Sequence, residues 1–595
     1  MDFPKDLYIA WRLSEGDLLY QQVRNWYGPL AHLLEGFGFQ VFGVGYLTLV
    51  GMNILLTLGV LLLVRAIFGV IGNRLMAWLA SVVFLAVFAF GNYGVIGNYN
   101  FITPYTATAT YSFAGLLLVL WGLLKHLQTE RRFWLGVAGL GLAVAYLDKP
   151  EGLLAAAGAL GLYFLARGIR LARAAGGDGG RINAGRWLGQ AATWLAGGFL
   201  ALWLPVFAYF WMRQGPAFAF YATDYAIVSL WDNAIRDATL HAHLMQVYSG
   251  FDEPGKNFLF ELWQGSWFAG LCAVMVVTSW GWARAPEGGV RWSILPMVAI
   301  GAGAGCAWFT YKGTDLGPEV VFPVCLAAWG FCAQCLWLAW RGGNAFSRSL
   351  GLAVVGTGAS LMLAREILNA RVQHYGFFMM PLAVLFWVQL LVVEASRPVE
   401  KQLRRNWLLP TLASLLALVC VGALLHTSLF FYNLKTYVVG EGRDRFYTFE
   451  PEAYTSGEYL HAMIEAVKKK APAAKSLVAF PEGIAVNYHL RIRTPLRELE
   501  FNPLSLRYVK PAQVVQELQA HPPDAVLLYD RDFSEFGTSH FGADEASGQD
   551  IILWLKDRYN MMVMIGKSDR NVTGHAIDLL VPSGAAVPPP GSPQP

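Results

Sequence analysis

Lysine and arginine alternate along this chain with a regularity that leaves few folds open. About twelve apolar stretches of membrane-crossing length can be marked. They fall at 42–69, 74–92, 105–126, 132–147, 151–167, 187–212, 266–284, 292–311, 319–340, 347–365, 375–395 and 405–430. The short loops between them take turns being rich and poor in positive charge. Arg65 and Arg74 flank one loop, and the next, 91–104, carries no charge at all. Lys125, Arg131 and Arg132 follow, then the mixed run Asp148-Lys149-Pro150-Glu151. Further basic sets are Arg167 to Arg186, Arg284 with Arg291, Arg341 with Arg348, and Arg397 to Arg405. By the positive-inside rule the basic loops face the cytoplasm. The N-terminal segment, the charge-poor loops and everything after about residue 440 then lie on the outer face, where any chemistry is to be sought.

Composition agrees with a polytopic α-helical membrane protein, since 55% of the 595 residues are hydrophobic and 14% charged. The net charge of +4 sits in cytoplasmic loops, so it reports topology and points to no nucleic-acid partner. All six cysteines lie inside apolar stretches, so no disulfide framework is implied for the exported part. Cys332 and Cys335 read as small apolar residues on one helical face.

Four regions are expected: an extracytoplasmic amphipathic loop 1–41, a membrane module 42–430, an extracytoplasmic α/β domain 440–582 and a disordered tail 583–595. Residues 213–265 are polar and aromatic and are expected to form short helices on the outer membrane surface. In the α/β region 476–482, 524–530, 561–566 and 576–581 read as short buried strands. Helical patterns lie between them at 456–470, 510–520 and 548–559, with Ser456 as a candidate N-cap. Residues 2–41 are charged and follow no apolar span. Such a tail can be translocated by itself. A further apolar helix encoded upstream is the simpler expectation, since thirteen spans with a cytoplasmic N-terminus give the same topology.

Four places on the outer face carry polar residues that are costly near a bilayer, and so are candidate sites. They are Asp2 and Asp6 in an amphipathic helix on the membrane surface, the 98–105 loop, the Asp148–Glu151 hairpin, and the 365–374 segment with Arg365, Glu366, Arg371 and His374. Each has an ordinary reading too: solvated helix-start acids, a snorkelling lysine, loop residues. His32 reads as a packed histidine, and no spacing resembles a metal motif. Taken together, one acid and several cations on the outer face suit transfer from a membrane-embedded phosphate ester. The leaving phosphate needs cations to hold its charge, and the acceptor needs a carboxylate base.

The start, DFPKDLYIAWRLSEGDLLYQQVRNWYGPL, resembles the first extracytoplasmic loop of bacterial GT-C membrane glycosyltransferases of the glycosyltransferase family 39 type. That family includes protein O-mannosyltransferases and the 4-amino-4-deoxyarabinose transferase of lipid A. The matching positions are Asp2, Ala10, Leu13, Gly16, Tyr20, Pro29 and Leu30, with NYNFITPYTATAT, AYLDKPEGLLA and ARVQHYGF further on. Where the family often has paired acids, this chain has Asp2-Phe3. The resemblance implies a polyprenyl-phosphate-linked sugar donor, an inverting transfer to an extracytoplasmic lipid, glycan or protein, and a bacterial inner-membrane location. It implies Asp2 as the catalytic acid, with Asp6 as its backup. Lys149, Arg371 and His374 are then expected to bind the donor phosphate. No cofactor is expected, and metal dependence is left open. A transporter, flippase or polymerase of lipid-linked glycans is the alternative.

Overall fold

In a computed structural model, residues 3–174, 177–231, 243–284, 291–312, 317–400, 407–565 and 577–584 are described. Asp2 and most of the expected tail lie outside them. Among the described residues eight helices are long and apolar enough to cross a membrane. They are Tyr46–Ile71, Ala107–Thr129, Pro150–Ala174, Ala184–Gln214, Gln246–Arg284, Glu319–Arg341, Phe346–Arg365 and Leu408–Asn433. Four shorter apolar helices, Arg74–Ala89, Phe133–Tyr146, Ile294–Trp308 and Pro381–Glu394, match the remaining expected spans. The chain is therefore a multi-pass α-helical membrane protein with a small C-terminal sheet region. Ala107–Thr129 and Phe346–Arg365 are mostly buried at the heart of the bundle, while the rim helices leave Leu55, Leu62, Trp211 and Trp329 outward.

The N-terminal elements that position the site are α1 (Phe3–Ser14), α2 (Leu30–Phe42), α3 (Tyr46–Ile71) and α4 (Arg74–Val83). They are followed by α5 (Ala107–Thr129), α6 (Phe133–Tyr146) and α7 (Pro150–Ala174). Asn73 caps α4 by accepting from the Met76 N–H. Pro150, lacking an N–H, opens α7 at no cost and closes the α6–α7 turn after Lys149.

The amphipathic pattern of α1 is resolved differently from the surface placement expected. Its residues 5–13 are all buried. They pack on α2 and on residues 484–499 of the C-terminal region, in a cluster with Ile9, Trp11, Tyr488 and Leu499. Its charged residues reach across the chain: Lys5 pairs with Glu500 at 2.8 Å and Glu15 with Arg493 at 2.6 Å. Arg24 in the following loop pairs with Glu498 at 2.6 Å. The segment is thus clamped between membrane helices and the C-terminal region.

That region begins with a hairpin, β1 (Tyr437–Val439) against β2 (Phe446–Thr448). Four further strands follow: β3 (Leu477–Phe480), β4 (Ala525–Tyr529), β5 (Tyr559–Ile565) and β6 (Ile577–Pro582). They form one sheet in the order β3-β4-β6-β5, with β3 and β4 parallel and the other pairings antiparallel. Helices Ser456–Lys470, Pro511–Ala520 and Gln549–Arg558 occupy the expected places. Thr455, not Ser456, is the residue at the N-cap of the first, and its side chain makes no capping bond. The stretch 213–265 contains the short helices Pro216–Thr223, Tyr225–Leu230 and His243–Ser249.

Candidate functional site

A cavity of about 2030 Å³ lies between the membrane helices and the C-terminal region. Its membrane-side wall brings together Tyr27, Tyr99, Tyr105, Lys149, Glu151, Arg365, His374 and Tyr375. The charge-poor 91–104 loop, the α6–α7 turn and the 365–376 segment all contribute to it.

Lys149 is the centre of this wall. Its side chain is 1% exposed, yet it ends in a charge. The ammonium lies 4.9, 4.6, 5.6 and 4.8 Å from the ring centroids of Tyr27, Tyr105, Tyr375 and Phe378. It donates to the Tyr105 hydroxyl. Such an aromatic box attracts a cation through the ring quadrupoles without neutralising it. Glu151 Oε1 lies 3.4 Å from Lys149 Nζ and 2.7 Å from Arg365 Nη1. Burial, partly opposed by Glu151, holds the Lys149 ammonium down to about 8.

The turn that carries Lys149 is fixed from below. The Gly28 N–H donates to the Asp148 carbonyl at 2.8 Å, and the Ala31 N–H to the Asp148 carboxylate at 2.9 Å. A Cβ on Gly28 would stand 2.0 Å from the Leu147 carbonyl oxygen, so the approach needs glycine.

His374 also faces the cavity. It adopts φ 53°, its N–H donates to the Gly97 carbonyl at 3.0 Å, and its ring lies 5.3 Å from that of Tyr248. A non-glycine residue held in the left-handed region signals that the surrounding loops dictate its place. Arg371 is not part of the cavity wall; its charge acts on buried Glu366. Arg365, six positions earlier, is the arginine that shares the cavity wall with Lys149, through Glu151.

Asp6 is also placed elsewhere than expected of a catalytic acid. It is fully buried, and its Oδ2 accepts the Ala107 N–H at 2.7 Å. It therefore supplies an acceptor at the N-terminal end of α5, where Thr106 offers no capping bond. His32 lies 4.0 Å from it and donates from Nδ1 to Glu35 at 3.2 Å, with Asn25 donating to Nε2. Burial, reinforced by Glu35, pushes the Asp6 carboxyl up to about 7. Because the folded value exceeds the unfolded one near 3.8, this group favours folding below about pH 4. That stability is lost as pH rises to about 7. Asp6→Asn keeps an acceptor for Ala107 and removes the charge. It is expected to flatten the fall in thermal stability between pH 5 and pH 8 seen by differential scanning fluorimetry, while retaining transfer activity. A folded but inactive Asp6→Asn protein would reassign Asp6 to the reaction.

Asp2 lies outside the described residues, but the next three residues, Phe3, Pro4 and Lys5, line the cavity. Across the cavity stand Lys435, Arg445 and Tyr447 of the hairpin region. Lys435 sits 5.4 and 5.2 Å from the Tyr432 and Phe449 rings, and burial holds it down to about 8. Among the described residues no group of three or more His, Cys, Asp or Glu is placed to hold a metal ion.

No family model matches the chain, and no curated protein matches it. Among solved structures it is similar to the oligosaccharyltransferase of Archaeoglobus fulgidus in complex with Zn and sulfate. Identity there is 12%, over 98% of this chain and 71% of that one, with a TM-score of 0.47. It is similar also to ArnT from Cupriavidus metallidurans, at 13% identity over 97% of this chain and 93% of that one. The TM-score is 0.40 for the apo state and 0.41 for the form bound to undecaprenyl phosphate.

Proposed function

We propose that the protein is an integral-membrane glycosyltransferase of the bacterial inner membrane. It moves a sugar from a polyprenyl-phosphate-linked donor to an acceptor on the extracytoplasmic face, with inversion. The observation that carries this reading is the buried Lys149 ammonium, boxed by aromatic rings, beside Arg365 at the junction of apolar helices and a large cavity. A charge held out of water at the end of membrane helices is costly and marks a candidate ion-binding place. An anion that arrives at the end of membrane helices, with apolar Leu47, Val50 and Leu154 lining the same cavity, fits a lipid phosphate.

In the proposed reaction the acceptor oxygen bonds to the anomeric carbon as the bond from that carbon to the phosphate oxygen breaks. Asp2 takes the acceptor proton. Lys149 and Arg365 hold the charge that grows on the departing phosphate, and His374 orients the sugar-proximal loop. The acceptor enters past Lys435, Arg445 and Tyr447. The sidedness rests on the basic loops, which place the cavity opposite the cytoplasm.

Deletion of the gene is expected to remove one sugar from an envelope lipid, glycan or protein resolved by mass spectrometry, with the charged donor left unconsumed. Donor trapped on the cytoplasmic leaflet, with every acceptor still modified when donor is supplied outside, is the outcome of a flippase and would reject the reading.

A further inference from the structure

The anion seat around Lys149 contains a carboxylate, and its geometry is specific. A single oxygen, Glu151 Oε1, touches both cations, at 3.4 Å from Lys149 and 2.7 Å from Arg365. A site built only to bind phosphate would gain by omitting it. The other charged groups near the seat are paired, neutral or outside the cavity wall. Lys5 is paired with Glu500 at 2.8 Å. Glu366 is buried, and burial pushes its carboxyl up to about 8, so it carries a proton at neutral pH. Arg371 acts on Glu366 from outside the cavity wall. Tyr27 is pushed up to about 12 and stays neutral. Lys149, Arg365 and Glu151 together carry one net positive charge, with the titratable His374 in the same wall.

We infer that Glu151 is a positioning residue that sets this net charge, so that the seat selects a phosphodiester monoanion over a phosphomonoester dianion. This rests on the proposed donor. A sugar linked through one phosphate to a polyprenol is a diester and carries one negative charge, which the seat neutralises. Once the sugar has left, the lipid phosphate is a monoester whose second proton leaves near pH ~6. At pH 7.5 it is mostly a dianion, and its extra charge faces Glu151 across the cations the two share. In a water-poor seat that repulsion is strong. The repulsion acts on two charges of the spent lipid and on one of the donor, so Glu151 weakens the spent lipid more than the donor and favours its departure. A diphosphate-linked donor, with its extra charge, is disfavoured for the same reason.

The test is binding of a polyprenyl phosphate and of its methyl diester to detergent-purified protein, at pH 5.5 and pH 7.5. In the wild type the monoester is expected to weaken relative to the diester as pH rises from 5.5 to 7.5. Glu151→Gln is expected to tighten monoester binding ~10-fold or more at pH 7.5 and diester binding by only about the square root of that factor. It is also expected to lower turnover through product inhibition and to move the alkaline loss of diester binding to lower pH, because Glu151 supports the Lys149 charge. Glu151→Asp is expected to keep the wild-type ratio. Lys149→Gln is the separate arm: if it leaves both ligands unaffected, the anion seat itself is rejected. If Lys149→Gln weakens both ligands but Glu151→Gln leaves their ratio unchanged, Glu151 only braces the cations and the inference falls. A wild-type ratio that does not move with pH overturns it without any variant.

Discussion

Asp2→Asn is expected to lose transfer by about 10²–10⁴-fold, the usual contribution of a carboxylate acting as general base, while donor binding stays near wild type. The assignment rests on position and chemistry. The three residues after Asp2 line the cavity, and Lys5 is anchored there through Glu500. The other acid of this segment, Asp6, is engaged at the start of α5. In the proposed reaction the seat cations hold the leaving phosphate, so the acceptor hydroxyl is the group that needs help, and help here means removing a proton. Asp2→Asn keeps the shape of the side chain and deletes the base. Loss of turnover without loss of donor binding is the signature of an interaction made in the transition state alone. The measurement is transfer from a polyprenyl-phosphate sugar by purified protein, beside donor binding. Wild-type turnover in Asp2→Asn, with a folded and dead Asp6→Asn, would exchange the two roles.

The membrane helices were legible because bilayer thickness fixes both length and apolarity, and no other constraint imitates that pair. The strands at 477–480, 525–529 and 577–582 were legible as short apolar runs between polar turns. The placement of α1 was not. Its pattern is that of a helix with one wet face, and it cannot say whether that face meets water, lipid headgroups or protein. The partners that cover it, Arg493 and Glu500, lie almost five hundred residues on. Asp6 misled for a related reason: a carboxylate near a membrane surface is costly unless satisfied, and it is satisfied by the N-terminus of a helix that starts at Ala107. Lys149 was found because charge in a tight apolar hairpin is conspicuous. That Arg365 and not Arg371 shares the cavity wall with it is not legible, because 363–376 is irregular and no period says which arginine turns inward. The aromatic box was invisible. Tyr27, Tyr105, Tyr375 and Phe378 come from three distant segments, and only the folded arrangement of the residues before α2, those before α5 and 375–378 brings them together.

Removing Lys149 separates binding from stability, and this is where the second large effect lies. Lys149→Gln is expected to weaken the lipid phosphate by ~1.5–3 kcal/mol, the worth of a charged hydrogen bond, or roughly tenfold to 150-fold in Kd. The same change is expected to leave the thermal midpoint unchanged or raised. The reason is the sign of the titration: burial lowers this ammonium from 10.5 to about 8, so the fold works against the charge that it holds. In terms of linkage, the depressed folded value makes the native state lose stability as pH falls through about 8, where Lys149 takes up its proton. A neutral residue removes that cost. Binding runs the other way. Donor affinity should be level below about pH 8 and fall by up to tenfold per pH unit above it, as the seat loses its cation. Arg365 keeps its charge throughout and supplies what affinity remains. A Lys149→Gln protein whose donor affinity no longer depends on pH in this range, with an intact unfolding transition, is the expected result. A variant that unfolds early but binds donor normally would make Lys149 a structural cation, held by its rings and by Glu151 for packing alone.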